Sequence, residues 1–142
     1  MNIKDYLKMP YRLTRQIARH KREVEHWQAR AYSLSQDTTQ PHYNPNRATS
    51  ASYERCIEMA DALEHTIAAE EKRLSELKES VMSNIIKLED TDHRMLLQMR
   101  YINFDSWQDI SSTLCYSESY TYKIHGRALE CMKEILKKDS SE

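Results

Sequence analysis

The sequence predicts an all-α protein: a long N-terminal antiparallel helical hairpin of coiled-coil type, residues 1–88, followed by a C-terminal helix-turn-helix domain, residues 89–142. Three observations predict it. One Gly and three Pro cannot punctuate a many-stranded fold, and 30% of the side chains are charged, a composition typical of long helices. Two stretches repeat apolar residues at alternating steps of three and four. A third, "SWQDISSTLCYSESYTYKIHGRALECM" (106–132), holds two short amphipathic runs split by a brief turn.

In the first stretch the repeat runs Tyr6, Pro10, Leu13, Ile17, His20, Val24, Trp27, Ala31, Leu34. This is the seam of a long helix seeking a partner helix. Pro10 should begin the main helix or kink it, since it has no backbone donor and crowds the preceding turn. Arg12, Arg15, Arg19, Lys21 and Arg22 lie between the seam positions. Such charge runs mostly solvate a helix; the sharper reading is a phosphate-contacting flank.

"SLSQDTTQPHYNPNRATSAS" (33–52) breaks the periodicity. Its Ser, Thr, Asn and Pro favour turns, so a surface loop is expected over about 35–52, with Ser52 capping the next helix. The seam returns at Tyr53, Cys56, Ala60, Leu63, Ile67, Glu70, Leu74, Leu77, Val81, Ile85 and Leu88. Glu70 interrupts the stripe and should pair with a basic seam neighbour or tune register. Two seamed helices joined by a loop fold most simply as an antiparallel hairpin, and the same seams suit homodimerisation.

Asp90, Thr91 or Asp92 can cap a helix from about His93 to Tyr101 or Ile102, and Ser106 or Asp105 the next. On a helical wheel the last run places Thr121, Ile124, Ala128, Met132 and Ile135 on one face, with Leu129 and Leu136 at its margin. Trp107, Ile110 and Leu114 join that core, and Tyr116 plugs the turn. The opposite face carries Ser119, Lys123, Gly126 and Glu130, flanked by Tyr120, Tyr122 and Arg127.

That free face suits double-stranded DNA. Lys123 and Arg127 can neutralise phosphates or reach guanine edges, and Ser119, Tyr120 and Tyr122 can bond phosphates or touch thymine methyls. Ser117 caps the helix, where unpaired amides can hold a phosphate. Gly126 either admits a DNA backbone closely or is a tolerated blemish costing about 1 kcal/mol relative to Ala. The candidate DNA-binding residues are therefore Ser117, Ser119, Tyr120, Tyr122, Lys123, Gly126 and Arg127.

Bulk charge announces no polyanion partner. Residues 1–52 hold nine basic and four acidic side chains, residues 53–92 five and eleven, and residues 93–142 seven of each. Cys56, Cys115 and Cys131 have no CxxC spacing and read as reduced thiols; neither they nor the six histidines form a zinc pattern. No metal, cofactor or catalytic set is expected: no nucleophile, base and orienter assemble, and no phosphate-cradling glycine loop exists. No apolar run reaches the roughly 20 residues of a spanning helix, and no charged-then-apolar stretch followed by a small-residue cleavage site is read in the sequence. A soluble protein of the cytoplasm, away from the membrane, is expected.

"HRMLLQMRYINFDSWQDISSTLCYSESYTYKIHGRALECM" resembles region four of sigma-70-type primary sigma factors, which reads the −35 promoter element. Arg94, Leu97, Arg100 and Tyr101 match that family's first helix, and Asp109, Ile110, Ser111 and Leu114 the second. Ser117, Thr121, Ala128, Leu129 and Met132 match the third. The stretch is also similar to region-four-like regulators of phages and mobile elements, the RinA/ArpU-type late-gene regulators and a related uncharacterised family. Those carry R-Y-I, S-W-x-x-I and Y-S-x-x-x-x-Y-x-I-H, answered here by Arg100-Tyr101-Ile102, Ser106-Trp107, Ile110, Tyr116-Ser117, Tyr122, Ile124 and His125.

The resemblance implies a phage or integrated-element transcription regulator in a bacterial host cell, with RNA polymerase as a second partner by analogy of fold. Cys115 departs from the family's frequent turn glycine, so the turn must avoid positive φ or bear strain. Thr121 replaces an apolar core residue, which weakens the core unless its hydroxyl bonds within the helix. Two alternatives stand beside this reading: a small-terminase-like packaging protein, and a protein–protein adaptor that binds RNA polymerase without DNA.

Overall fold

The structure, a computed structural model, describes residues 2–36 and 46–140, with side chains from residue 50 onward in the second segment. It is all-α: α1 (Ile3–Gln36), α2 (Asn46–Ile85), α3 (Thr91–Leu97), a π turn (Gln98–Ile102), α4 (Trp107–Leu114) and α5 (Glu118–Ser140), with no strand among the described residues. The chain divides into two compact units, 14–73 and 1–13 with 74–142.

In the unit 14–73, α1 and α2 pair antiparallel: His20 meets Glu70, and Gln28 Nε2 donates to Glu64 Oε1 at 3.2 Å. The seam residues Ile17, Val24, Ala31, Cys56, Ala60 and Ile67 are buried, as their spacing predicts. Glu70 is only 8% exposed. Its Oε2 accepts from Gln16 Nε2 at 2.7 Å, and its Oε1 lies 2.7 Å from His20 Nδ1. The expected basic partner is thus His20, and a seam carboxylate is tolerated because hydrogen bonds satisfy it.

Three boundaries differ from expectation. α1 starts at Ile3 and runs through Pro10, whose buried ring offsets the backbone hydrogen bond that proline removes. α2 starts at Asn46, so Ser52 lies inside the helix and does not cap it. Ala48 and Ala51 favour helix, and extending an existing helix needs no new nucleus. α5 continues to Ser140, past Leu136, the last residue placed on its helical wheel. The centre of the expected loop, 37–45, lies outside the described residues.

In the other unit, the two ends of the hairpin share one core with α3, α4 and α5. Leu7 of α1 and Val81, Ile85 and Leu88 pack with Leu96, Leu97, Tyr101, Ile110, Ile124, Ala128, Leu129 and Met132. Leu7, one residue past the Tyr6 seam position, is fully buried. The Tyr6 hydroxyl accepts from Asn84 Nδ2 at 2.9 Å and lies 3.0 Å from Ser80 Oγ, pinning α1 to α2. Arg94 Nη1 donates to the carbonyls of Leu88 and Glu89, and Nη2 to Thr91 Oγ1, closing the end of α2 onto α3.

Asp90 caps α3 through Oδ1, which accepts from the amides of Asp92 and His93. After Leu97 the backbone widens: the Asn103 amide reaches back five residues to the Gln98 carbonyl at 3.0 Å. This π turn replaces the last turn of the expected helix and carries Tyr101 into the core. Trp107, expected in the core, is half-buried. Its indole lies between the rings of Tyr122 and His125, at 4.8 Å from each, and under the Arg100 guanidinium at 4.6 Å.

Candidate nucleic-acid interface

Three residues, Cys115 to Ser117, separate α4 from α5. Ser106 Oγ caps the start of α4 by accepting from the Asp109 amide at 3.1 Å. At its far end the Cys115 amide bonds the Ser112 carbonyl and the Tyr116 amide bonds the Ser111 carbonyl. That pair of bonds is a Schellman closure, which needs a left-handed residue and favours Gly. Cys115 supplies it at φ 62°, so the turn bears the strain that a glycine would avoid.

Below the turn, Ser111 and Thr121 meet in the core with their hydroxyl oxygens 3.0 Å apart. Thr121 Oγ1 also reaches the Ser117 carbonyl at 2.8 Å, and Ser111 Oγ the Trp107 carbonyl at 2.8 Å. Thr121 therefore sits in an apolar core position with its hydroxyl bonded inside its own helix. Tyr116 donates to Asp92 Oδ2 at 2.7 Å and is 37% exposed, so it straps the turn to α3 rather than plugging the core.

α5 is anchored by Thr121, Ile124, Ala128, Leu129 and Met132, all buried. Ser117 caps it, Oγ accepting from the Tyr120 amide at 3.1 Å. Ser117, Ser119, Tyr120, Tyr122, Lys123, Gly126 and Arg127 are all exposed on one end of one helix. They are not equally free. Tyr120 packs edge-on against Tyr116, and Tyr122 lies against Trp107, yet they remain 42% and 49% exposed. Lys123 and Arg127, one helical turn apart, make no ion pair among the described residues. A Cβ at Gly126 would meet nothing within 4 Å.

Spacing along α5 does not reveal the cations that other elements bring near it. His125 is pushed down to about 4 by burial and by the positive charges of Lys4, Arg100 and Lys8. Lys4 and Lys8 lie on α1, more than a hundred residues away in sequence. No periodic signal places them near α5; the burial of Leu7 in the shared core brings the first turns of α1 toward it. Arg100 is held against Trp107, with Nη1 donating to the Asp105 carbonyl at 3.0 Å.

Among the described residues no group of three or more His, Cys, Asp or Glu side chains could hold a metal ion, and no helix is long and apolar enough to cross a membrane. No curated protein and no solved structure matches this chain. One family does: its description is "Protein of unknown function (DUF1492)", and its match runs over residues 42–133, from α2 through the exposed face of α5. The chain belongs to that family.

Proposed function

We propose that this protein is a non-enzymatic, DNA-binding transcription regulator of a phage or integrated element, reading the major groove of promoter or operator DNA with α5. The observation that carries the reading is the division of that helix. One face is locked in the core by Ile124, Ala128 and Met132, while the other offers Ser119, Tyr120, Tyr122, Lys123 and Arg127 beside a capped N-terminus. A brace helix, a tight turn and a presented helix make a helix-turn-helix. The likeness of residues 93–132 to sigma region four supports the same reading.

A single small reader buries little surface, so a second contact completes the binding. RNA polymerase or a second copy held through the N-terminal helices would supply it. The test is binding of the full chain to duplex DNA from its own locus and to scrambled duplex, at low and moderate salt. Preference for the native sequence, with affinity falling as salt rises, is expected. Lys123→Ala with Arg127→Ala should flatten the salt dependence by about two phosphate contacts while leaving helical content intact. Unchanged affinity in that variant would remove α5 as the reader, and no DNA binding at either salt would leave the adaptor reading. A ring-sized mass would turn the assignment toward packaging.

A further inference from the structure

Beyond the DNA-facing end of α5, the same helix forms one wall of an open groove of about 850 Å³, the other wall being the first turn of α1. Ile3, Tyr6 and Leu136 are half-buried at its floor with Leu129 buried beneath, and Lys4, Lys133 and Lys137 form its exposed rim. Gly126 and Ser140 mark its two ends on α5. Fourteen residues of helix rise about 21 Å along the α5 wall, about four turns, while α1 faces one turn of that length. None of the three lysines makes an ion pair among the described residues, and one carboxylate, Glu130, stands among them.

We infer that this groove docks an acidic amphipathic helix of a partner protein. Both halves of the surface demand it. An apolar floor takes an apolar stripe, as helix-in-groove recognition does. Lysines on the rim take carboxylates flanking that stripe, which fixes orientation and speeds encounter. A phosphate backbone would match the lysines but leave Ile3, Tyr6 and Leu136 against a charged ligand. A purely apolar helix would leave three ammonium groups unanswered. The absent side chain at Gly126 keeps the end of the groove open. The inference is separable from the DNA reading, since none of its lysines belongs to the proposed reading face and Gly126 alone is shared by the two surfaces.

The test uses the full chain and three fluorescent peptides of about 16 residues, enough for four helical turns. One carries Leu at steps of three and four flanked by Glu; the second is its scramble; the third has Lys in place of Glu. Fluorescence anisotropy should show the acidic amphipathic peptide binding at least roughly tenfold more tightly than either twin. Lys133→Glu with Lys137→Glu should weaken it by about tenfold or more through like-charge contact. Lys133→Ala with Lys137→Ala, which adds no charge, should weaken it less. Equal binding of the scramble, or no effect of either double variant, overturns the inference. So does displacement of the peptide by random-sequence duplex, which would make the lysines a phosphate track. Self-association abolished by the same substitutions would put a second copy in the groove and overturn it too.

Discussion

The Tyr101 hydroxyl lies 2.6 Å from His125 Nε2, joining the π turn to α5. Burial pushes the Tyr101 phenol up, so it keeps its proton and donates; burial and nearby Lys4, Arg100 and Lys8 push His125 down to about 4, so its ring is neutral and accepts. In the unfolded chain the same imidazole takes a proton near 6.5. Between those values the unfolded state binds more protons, so stability is fully present above about pH 6.5 and falls as pH drops toward 4. The difference in urea midpoint between the wild type and His125→Gln should be constant above pH 7 and change steadily below 6. Parallel curves throughout would show that the imidazole is not held neutral.

Cys115 sits at φ 62° to close α4, a conformation that costs a side-chain-bearing residue about 1–2 kcal/mol. Gly escapes that penalty but loses more entropy on folding. Cys115→Gly should therefore stabilise the protein by roughly 0.5–1 kcal/mol, read as a rise in urea midpoint at unchanged slope. A lower midpoint would mean that the thiol contributes packing that its exposure hides.

Ser111 and Thr121 bring two hydroxyl protons to three short contacts, so each can lose its neighbour and still donate to a backbone carbonyl. Thr121→Val keeps the volume and leaves Ser111 its bond to the Trp107 carbonyl. Its cost should stay under about 1.5 kcal/mol in denaturant unfolding. A cost above about 3 kcal/mol would mark the pair as a cooperative network.

Trp107 touches Tyr122, His125 and Arg100 but keeps solvent on one side. Trp107→Ala should cost about 2 kcal/mol, less than the roughly 3–5 kcal/mol of a fully buried aromatic. Part of that is the lost cation–π contact with Arg100. Circular dichroism should show the helices retained at room temperature; wholesale unfolding would mean that the indole carries the core.

Glu70 is buried between His20 and Gln16 in an otherwise apolar seam. Replacing His20 and Gln16 together by Ala leaves its carboxylate without donors and should cost about 1–3 kcal/mol. Glu70→Leu should be neutral or stabilising, as replacement of buried polar clusters often is. The uniform seam should then self-associate more, because a polar seam residue sets register and partner number. Light scattering showing no change in mass would leave Glu70 without that role.

Patterning along the chain was enough to place the helices, most of their buried faces and the outward side of α5. Period-3.6 patterning names the side that must leave water, and capping by Asp90, Ser106 and Ser117 names where helices start. It was equally informative on Cys115, since only a left-handed residue closes that turn, and on Glu70, whose burial demanded a partner. Three features were decided by tertiary structure. The first turn of α1 joins the C-terminal core through Leu7, a residue off the seam, because that core extends past the hairpin's own interface. The π turn at Gln98–Ile102 has no periodic signature; it forms where Tyr101 must enter the core while Arg100 reaches Trp107. The basic surroundings of His125 and the groove beside α5 combine residues from both ends of the chain. Local patterning reports which face of an element is buried; long-range packing decides which exposed faces become neighbours.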